Sequence, residues 1–125
     1  MRFAVIKVGL ALSRADRDAP LAEHFGKAKW FLVIESPDRC TFLRNSWLEG
    51  RSVVAELASR GCTDLVARRM GRGAYAHATA AGMKVWEADE GVTGRNVGER
   101  LATGTLRPLA PAEAEHEGAH RHGRL

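Results

Sequence analysis

Short apolar runs set off by Gly, Pro, Asp and Ser clusters organise most of this chain. Arg2 to Gly9 is mostly apolar and β-branched, which predicts a buried strand. Residues 10–29 follow without a sustained period, carrying Ser13, Asp16, Asp18, Pro20 and Gly26, a length at which structureless loops become uncommon in small domains. Trp30 to Glu35 and Cys40 to Arg44 predict two strands joined through Ser36, Pro37, Asp38 and Arg39 as a hairpin. Ser52 is placed to cap a helix from Val53 to Arg60, with Val53, Val54, Leu57 and Ala58 on one face and Gly61 as its stop. A strand at Asp64 to Ala67 follows, then a helix from Ala74 to Ala81 led in by Gly71 and Gly73 and ended by Gly82. Met83 to Trp86 reads as a strand, and a third helix spans about Asn96 to Ala102 before Gly104.

A strand, helix and strand within so few residues form a βαβ unit, which requires parallel pairing and a right-handed crossover. The whole order predicts an α/β fold with a mixed five-stranded sheet and helices packed on it, the ribonuclease-H-like arrangement. Strands one, three, four and five then run the same way, and strand two opposes them. Ligands of such sheets favour the carboxyl ends of parallel strands. Those ends gather loop 10–29, Asn45 to Arg51, the turn Arg68 to Gly73, and the chain from Glu87 onward. Beyond Pro108 the apolar period stops, so the sequence predicts one domain over residues 1–108 and a disordered tail over 109–125.

Composition narrows the function without naming it. With 45% hydrophobic and 27% charged residues the chain is an ordinary globular one, and its apolar runs are far too short to span a bilayer. No secretory h-region is evident at the start, so cytoplasmic residence is the expectation. The net charge is +4, of which the tail contributes −1 from two Arg and three Glu, leaving +5 on the folded part. A basic surface attracts any anion. Cys40 and Cys62 form no C-x-x-C pair, which excludes a zinc ribbon or a thioredoxin-type site. Strand one carries no Asp or Glu, and its interior charge is Lys7, which opposes the carboxylate-held metals of a nuclease. No catalytic residues are assigned, and the chain is expected not to be an enzyme.

Several segments in order resemble a known family. They are Glu23-His24-Phe25-Gly26-Lys27-Ala28 ahead of a strand like Trp30 to Ile34, Gly61-Cys62-Thr63-Asp64, Met70-Gly71 before the helix start at Ala74, and Ala80 to Trp86. Over about residues 3–106 this set resembles the dinitrogenase iron-molybdenum cofactor biosynthesis family. The resemblance implies binding of an iron-sulfur or iron-molybdenum-type cluster by a carrier protein, with cofactor-assembly or nitrogenase-type proteins as partners and the same fold. Asn45 to Arg51, with Trp47, stands where many members are Gly-rich, and Ala78 occupies a usually larger apolar position.

The chemistry of the matching residues suits such a cargo. A neutral His24, on a loop anchored by Phe25 and hinged at Gly26, can present an imidazole nitrogen as a metal ligand. Arg14, Arg17, Lys27, Arg68, Arg69 and Arg72 would supply charge-assisted hydrogen bonds to an anionic cluster. Backbone N–H groups from Gly71 through Gly73 to Ala74 begin a helix, which adds anion preference. His24 is the expected metal ligand, with Phe25, Gly26, Lys27, Arg14, Arg69, Gly71, Arg72 and Gly73 around it. Cys40 and Cys62 are expected at the opposite edge, His77 is expected to point toward the sheet or its margin as a packed or hydrogen-bonded residue, and His116, His120 and His122 lie in the tail. The alternative is a non-catalytic module for a phosphorylated ligand, a nucleic acid or a protein partner, using the same Arg-rich edge. Nucleic acid is disfavoured because Trp47 alone supplies an aromatic among the basic residues.

Overall fold

β1 (Val8–Leu12) lies at the centre of the molecule with all five residues buried. The computed structural model describes residues 6–36, 38–46 and 49–110. The remaining elements are a 3-10 turn at Phe25–Lys27, β2 (Trp30–Ser36), β3 (Arg39–Arg44), α1 (Gly50–Ser59), β4 (Asp64–Ala67), α2 (Arg72–Ala80), β5 (Lys84–Glu87), α3 (Gly94–Thr103) and β6 (Arg107–Pro108). They form an α/β domain around one mixed sheet in the order β3-β2-β1-β4-β5-β6.

β1 pairs antiparallel with β2 and parallel with β4, β4 pairs parallel with β5, and β2 pairs antiparallel with β3. The sheet has six strands among the described residues, not the expected five. The sixth is β6, two residues long and antiparallel to β5, too short for any periodicity to reveal. The first strand is also displaced from its expected bounds. Gly9 looked like its end, yet Leu10, Ala11 and Leu12 continue the ladder opposite Leu32, Phe31 and Trp30. Residues 2–5, which the sequence places in that strand, lie outside the described residues, as does Trp47.

Side chains alternate across the sheet as strand geometry requires. Ala11, Phe31, Val33, Leu65, Ala67 and Val85 join Val53, Val54 and Leu57 of α1 and Ala74 and Ala78 of α2 in one core. Leu10, Leu12, Leu32 and Val66 face the other way, where Val97 of α3 meets Leu21, Val92 and Leu106. Helices therefore cover both faces. Gly9 carries no side chain because a Cβ there would lie 3.0 Å from a Leu57 methyl, so its absence lets α1 lie close to the sheet.

Helix ends differ in one instructive way from expectation. Ser52 lies inside α1, whose N-cap is Glu49 without a side-chain cap hydrogen bond, since the Val53 N–H already donates to the Glu49 carbonyl at 3.1 Å. Thr93 caps α3 with a full capping box, accepting from the Asn96 N–H while Asn96 accepts from the Thr93 N–H. Leu109 is buried and donates its N–H to the Val85 carbonyl at 2.9 Å. Residues 111–125, including His116, His120 and His122, lie outside the described residues.

Leu57 is 1% exposed at the centre of the α1 contact with β1 and β4. Leu57→Ala is expected to lower stability by about 2–5 kcal/mol, read from the urea midpoint at unchanged slope.

Candidate functional site

Loop 13–29 leaves the carboxyl end of β1 and is tied down along its length. Ser13 donates its N–H to the Pro20 carbonyl at 3.1 Å, and Ala22 donates to Ala11 at 3.0 Å. Leu21 donates to Val92, Gly94 donates to Ala19 and Arg95 donates to Arg17, which strap the loop to the segment entering α3. Asp18 accepts from Arg95 Nε at 2.7 Å, and this guanidinium holds the Asp18 carboxyl below its usual range. These main-chain hydrogen bonds give several of the loop's backbone polar groups partners within the fold.

Its last part reaches a second loop. His24 forms an isolated parallel bridge with Arg69, and Phe25 donates its N–H to the Arg69 carbonyl at 2.9 Å. Phe25 is 1% exposed and packs edge-on against Phe31, with ring centroids 5.4 Å apart. The ring is thus an anchor inside the core. Asn45 donates from Nδ2 to the Ala28 carbonyl at 2.8 Å and to the Gly26 carbonyl at 3.3 Å. The His24 carbonyl accepts the Lys27 N–H at 3.2 Å, closing the turn.

Three segments converge below that turn. A Cβ on Gly26 would stand 2.9 Å from the Gly50 nitrogen, and a Cβ on Gly50 would stand 2.9 Å from the Ala74 Cβ. The turn, the start of α1 and the start of α2 therefore approach to backbone distance, and only residues of this size permit it. Gly71, buried, is the N-cap of α2, while Arg72 and Gly73 form its exposed first turn with no acidic residue.

The expected site residues separate into two sets. His24, Gly26, Lys27, Arg69, Gly71, Arg72 and Gly73 are brought to one edge by the bridge and the helix starts. Arg14 is not joined to them. It lies exposed in the turn Ser13 to Ala19, where its carbonyl accepts from Asp16. His24 is half-buried, Lys27 is exposed, and Arg69 reaches Glu23 at 3.8 Å with both side chains at least half in water.

Asn45 and Gly50 were missed as determinants of this site. Asn45 acts on carbonyls 17 and 19 residues away, a relation no local spacing encodes. The cysteines stand elsewhere, Cys62 just before β4 and Cys40 near the start of β3, at the amino ends of strands parallel to β1. Burial pushes the Cys62 thiol up to about 11, so it offers little thiolate at neutral pH. His77 is exposed on α2, against expectation, because the buried stripe of that helix runs through Ala74 and Ala78 alone. Among the described residues no three His, Cys, Asp or Glu side chains are grouped to hold a metal ion. An edge of this kind offers an imidazole, several cations and helix N–H groups, which suits an anion that brings its own ligands.

The sequence profile of the family described as dinitrogenase iron-molybdenum cofactor matches residues 7–104. The chain belongs to this family. Membership associates it with metallocluster chemistry, and the matched span takes in every element from β1 through α3. The NMR structure of a NifB-type protein from Thermotoga, of the DUF35 family, is similar with a TM-score of 0.73 and 25% identity, covering 83% of this chain and 93% of that one. The apo orange protein of Desulfovibrio gigas shares the fold with a TM-score of 0.76 at 23% identity, covering 86% of this chain and 95% of its own. A dinitrogenase-type protein of Methanocaldococcus jannaschii does so with a TM-score of 0.68 at 13% identity, covering 86% and 98%. No curated protein matches the chain significantly. Among the described residues no helix is long and apolar enough to cross a membrane.

Two outcomes are expected. Gly26→Ala should destabilise the protein by about 1–3 kcal/mol in urea unfolding, because the new methyl meets Gly50 backbone. With a thiol reagent at pH 8, half-buried Cys40 should react at least tenfold faster than Cys62, which is 6% exposed. Mass spectrometry of the labelled peptides distinguishes the two sites.

Proposed function

We propose that this chain binds an anionic iron-sulfur or iron-molybdenum-type cluster at the edge formed by His24, Lys27, Arg69 and the start of α2. It holds the cluster as cargo and passes it to a cofactor-assembly or nitrogenase-type protein in the cytoplasm, without catalysing a reaction. The observation that carries this reading is the backbone bridge between His24 and Arg69. That bridge sets a histidine beside an arginine and beside the first turn of α2, and it holds them through main-chain atoms.

Each part has a physical role. The imidazole nitrogen of His24 is a neutral donor to iron or molybdenum, and the absence of a carboxylate in the first turn of α2 leaves its N–H groups to an anion. Lys27, Arg69 and Arg72 neutralise charge on sulfide or carboxylate groups of the cargo. A single protein ligand within a cationic rim is exchangeable, as handover requires, whereas four thiolates would retain the cluster. Family membership supports the cargo class.

The test is anaerobic reconstitution of the full chain with iron, sulfide and molybdate, followed by desalting, metal analysis and an absorption spectrum. Retained metal with sulfide-to-metal charge transfer is expected, and His24→Ala should reduce retention about tenfold or more. Arg69→Gln should weaken it less, and Cys62→Ser should leave it unchanged. Loss of metal in Cys62→Ser together with full retention in His24→Ala would reverse the assignment.

A further inference from the structure

At the opposite ends of β4 and β5 lies a pocket of about 400 Å³ that the cluster reading does not use. Asp64 and Trp86 from the sheet, Lys84 beside them, and Arg100, Leu101 and Leu106 from α3 and the chain after it are among its walls. The volume lies within the range of small-molecule sites.

Asp64 is 6% exposed and is the one buried charged residue among those described. Its Oδ1 accepts the Thr63 hydroxyl at 2.6 Å, and its Oδ2 accepts the Trp86 indole N–H at 2.8 Å. No cation lies within 4 Å of it among the described residues, so each carboxylate oxygen keeps one further lone pair and the charge is not paired. Burying a carboxylate in this way costs free energy that two neutral hydrogen bonds only partly offset. Lys84 is exposed and Arg100 half-buried, and neither has an acidic partner within that distance among the described residues. One pocket thus combines a deep acceptor pair, an indole and apolar walls, and two cations nearer the surface.

We propose that this pocket binds a purine nucleoside monophosphate. Asp64 accepts N–H donors from the base, Trp86, Leu101 and Leu106 cover its flat apolar body, and Arg100 and Lys84 meet the phosphate. Guanine presents two adjacent N–H donors to the two oxygens and adenine presents one amino group, so guanosine monophosphate is the preferred ligand. The site is separate from the cluster edge and does not depend on it.

The experiment is a titration of the ¹⁵N-labelled full chain, followed through the indole N–H signals of its tryptophans, with Trp86→Phe assigning the Trp86 signal. Guanosine monophosphate should shift that signal saturably at millimolar concentration, adenosine monophosphate should do so more weakly, and inorganic phosphate should not. Arg100→Gln, a substitution on the surface of α3, should weaken guanosine monophosphate about tenfold and leave guanosine unchanged. Asp64→Asn should weaken both, and His24→Ala should alter neither. A Trp86 signal that is unmoved by either nucleotide, or moved equally by inorganic phosphate, would overturn the proposal. A response to nucleotides that Arg100→Gln leaves intact would also overturn it.

Discussion

The parallel ladder between β1 and β4, Val8 to Asp64 through Leu10 to Val66, is the constraint on which the remaining structure depends. Both strands are buried along their whole length, so every backbone N–H and C=O they carry must find a partner within the sheet. Parallel pairing cannot be closed by a tight turn, and the connection must travel out through the hairpin and back through α1. The same register aligns the carboxyl end of β1 with that of β4. Loop 13–29 and the turn after Ala67 therefore emerge at the same edge, and an isolated parallel bridge between His24 and Arg69 joins them beyond the strands.

That bridge is one of several contacts that hold this edge in place. Phe25 is driven into the core against Phe31, Asn45 holds the carbonyls on either side of Lys27, and Gly26 rests on Gly50, which rests on Ala74. The burial of one aromatic ring stabilises the turn, and the two glycines let the helix starts approach it. Charge is then concentrated where the backbone is already held. Lys27 and Arg72 extend into solvent from positions that main-chain contacts have fixed.

The two ends of the parallel strands are chemically distinct. The carboxyl end is cationic, with helix N–H groups and no buried acid among the described residues. The amino end holds the buried Asp64, the indole that donates to it, and Cys62 with its thiol kept protonated by burial. The separation follows from strand direction alone, because α2 begins at one edge and ends at the other.

Much of this architecture is legible in the sequence. Trp30 to Ile34, Asp64 to Ala67 and the face through Val53, Val54 and Leu57 are local patterns whose period fixes a strand or a helix, and strand and helix order then fixes which strands run parallel. The family resemblance is carried by the same kind of local segment, Glu23 to Ala28 and Gly61 to Asp64 among them. What the sequence could not decide lies between segments far apart in the chain. The extension of β1 past Gly9 depends on partners in β2, and β6 exists because β5 offers it an edge. The clamp of Asn45 on Gly26 and Ala28 and the contact of Gly26 with Gly50 likewise rest on tertiary contacts. Periodicity reports which side of an element faces the core. It holds no information about which distant backbone group that side will meet, and that meeting is what placed His24 beside Arg69.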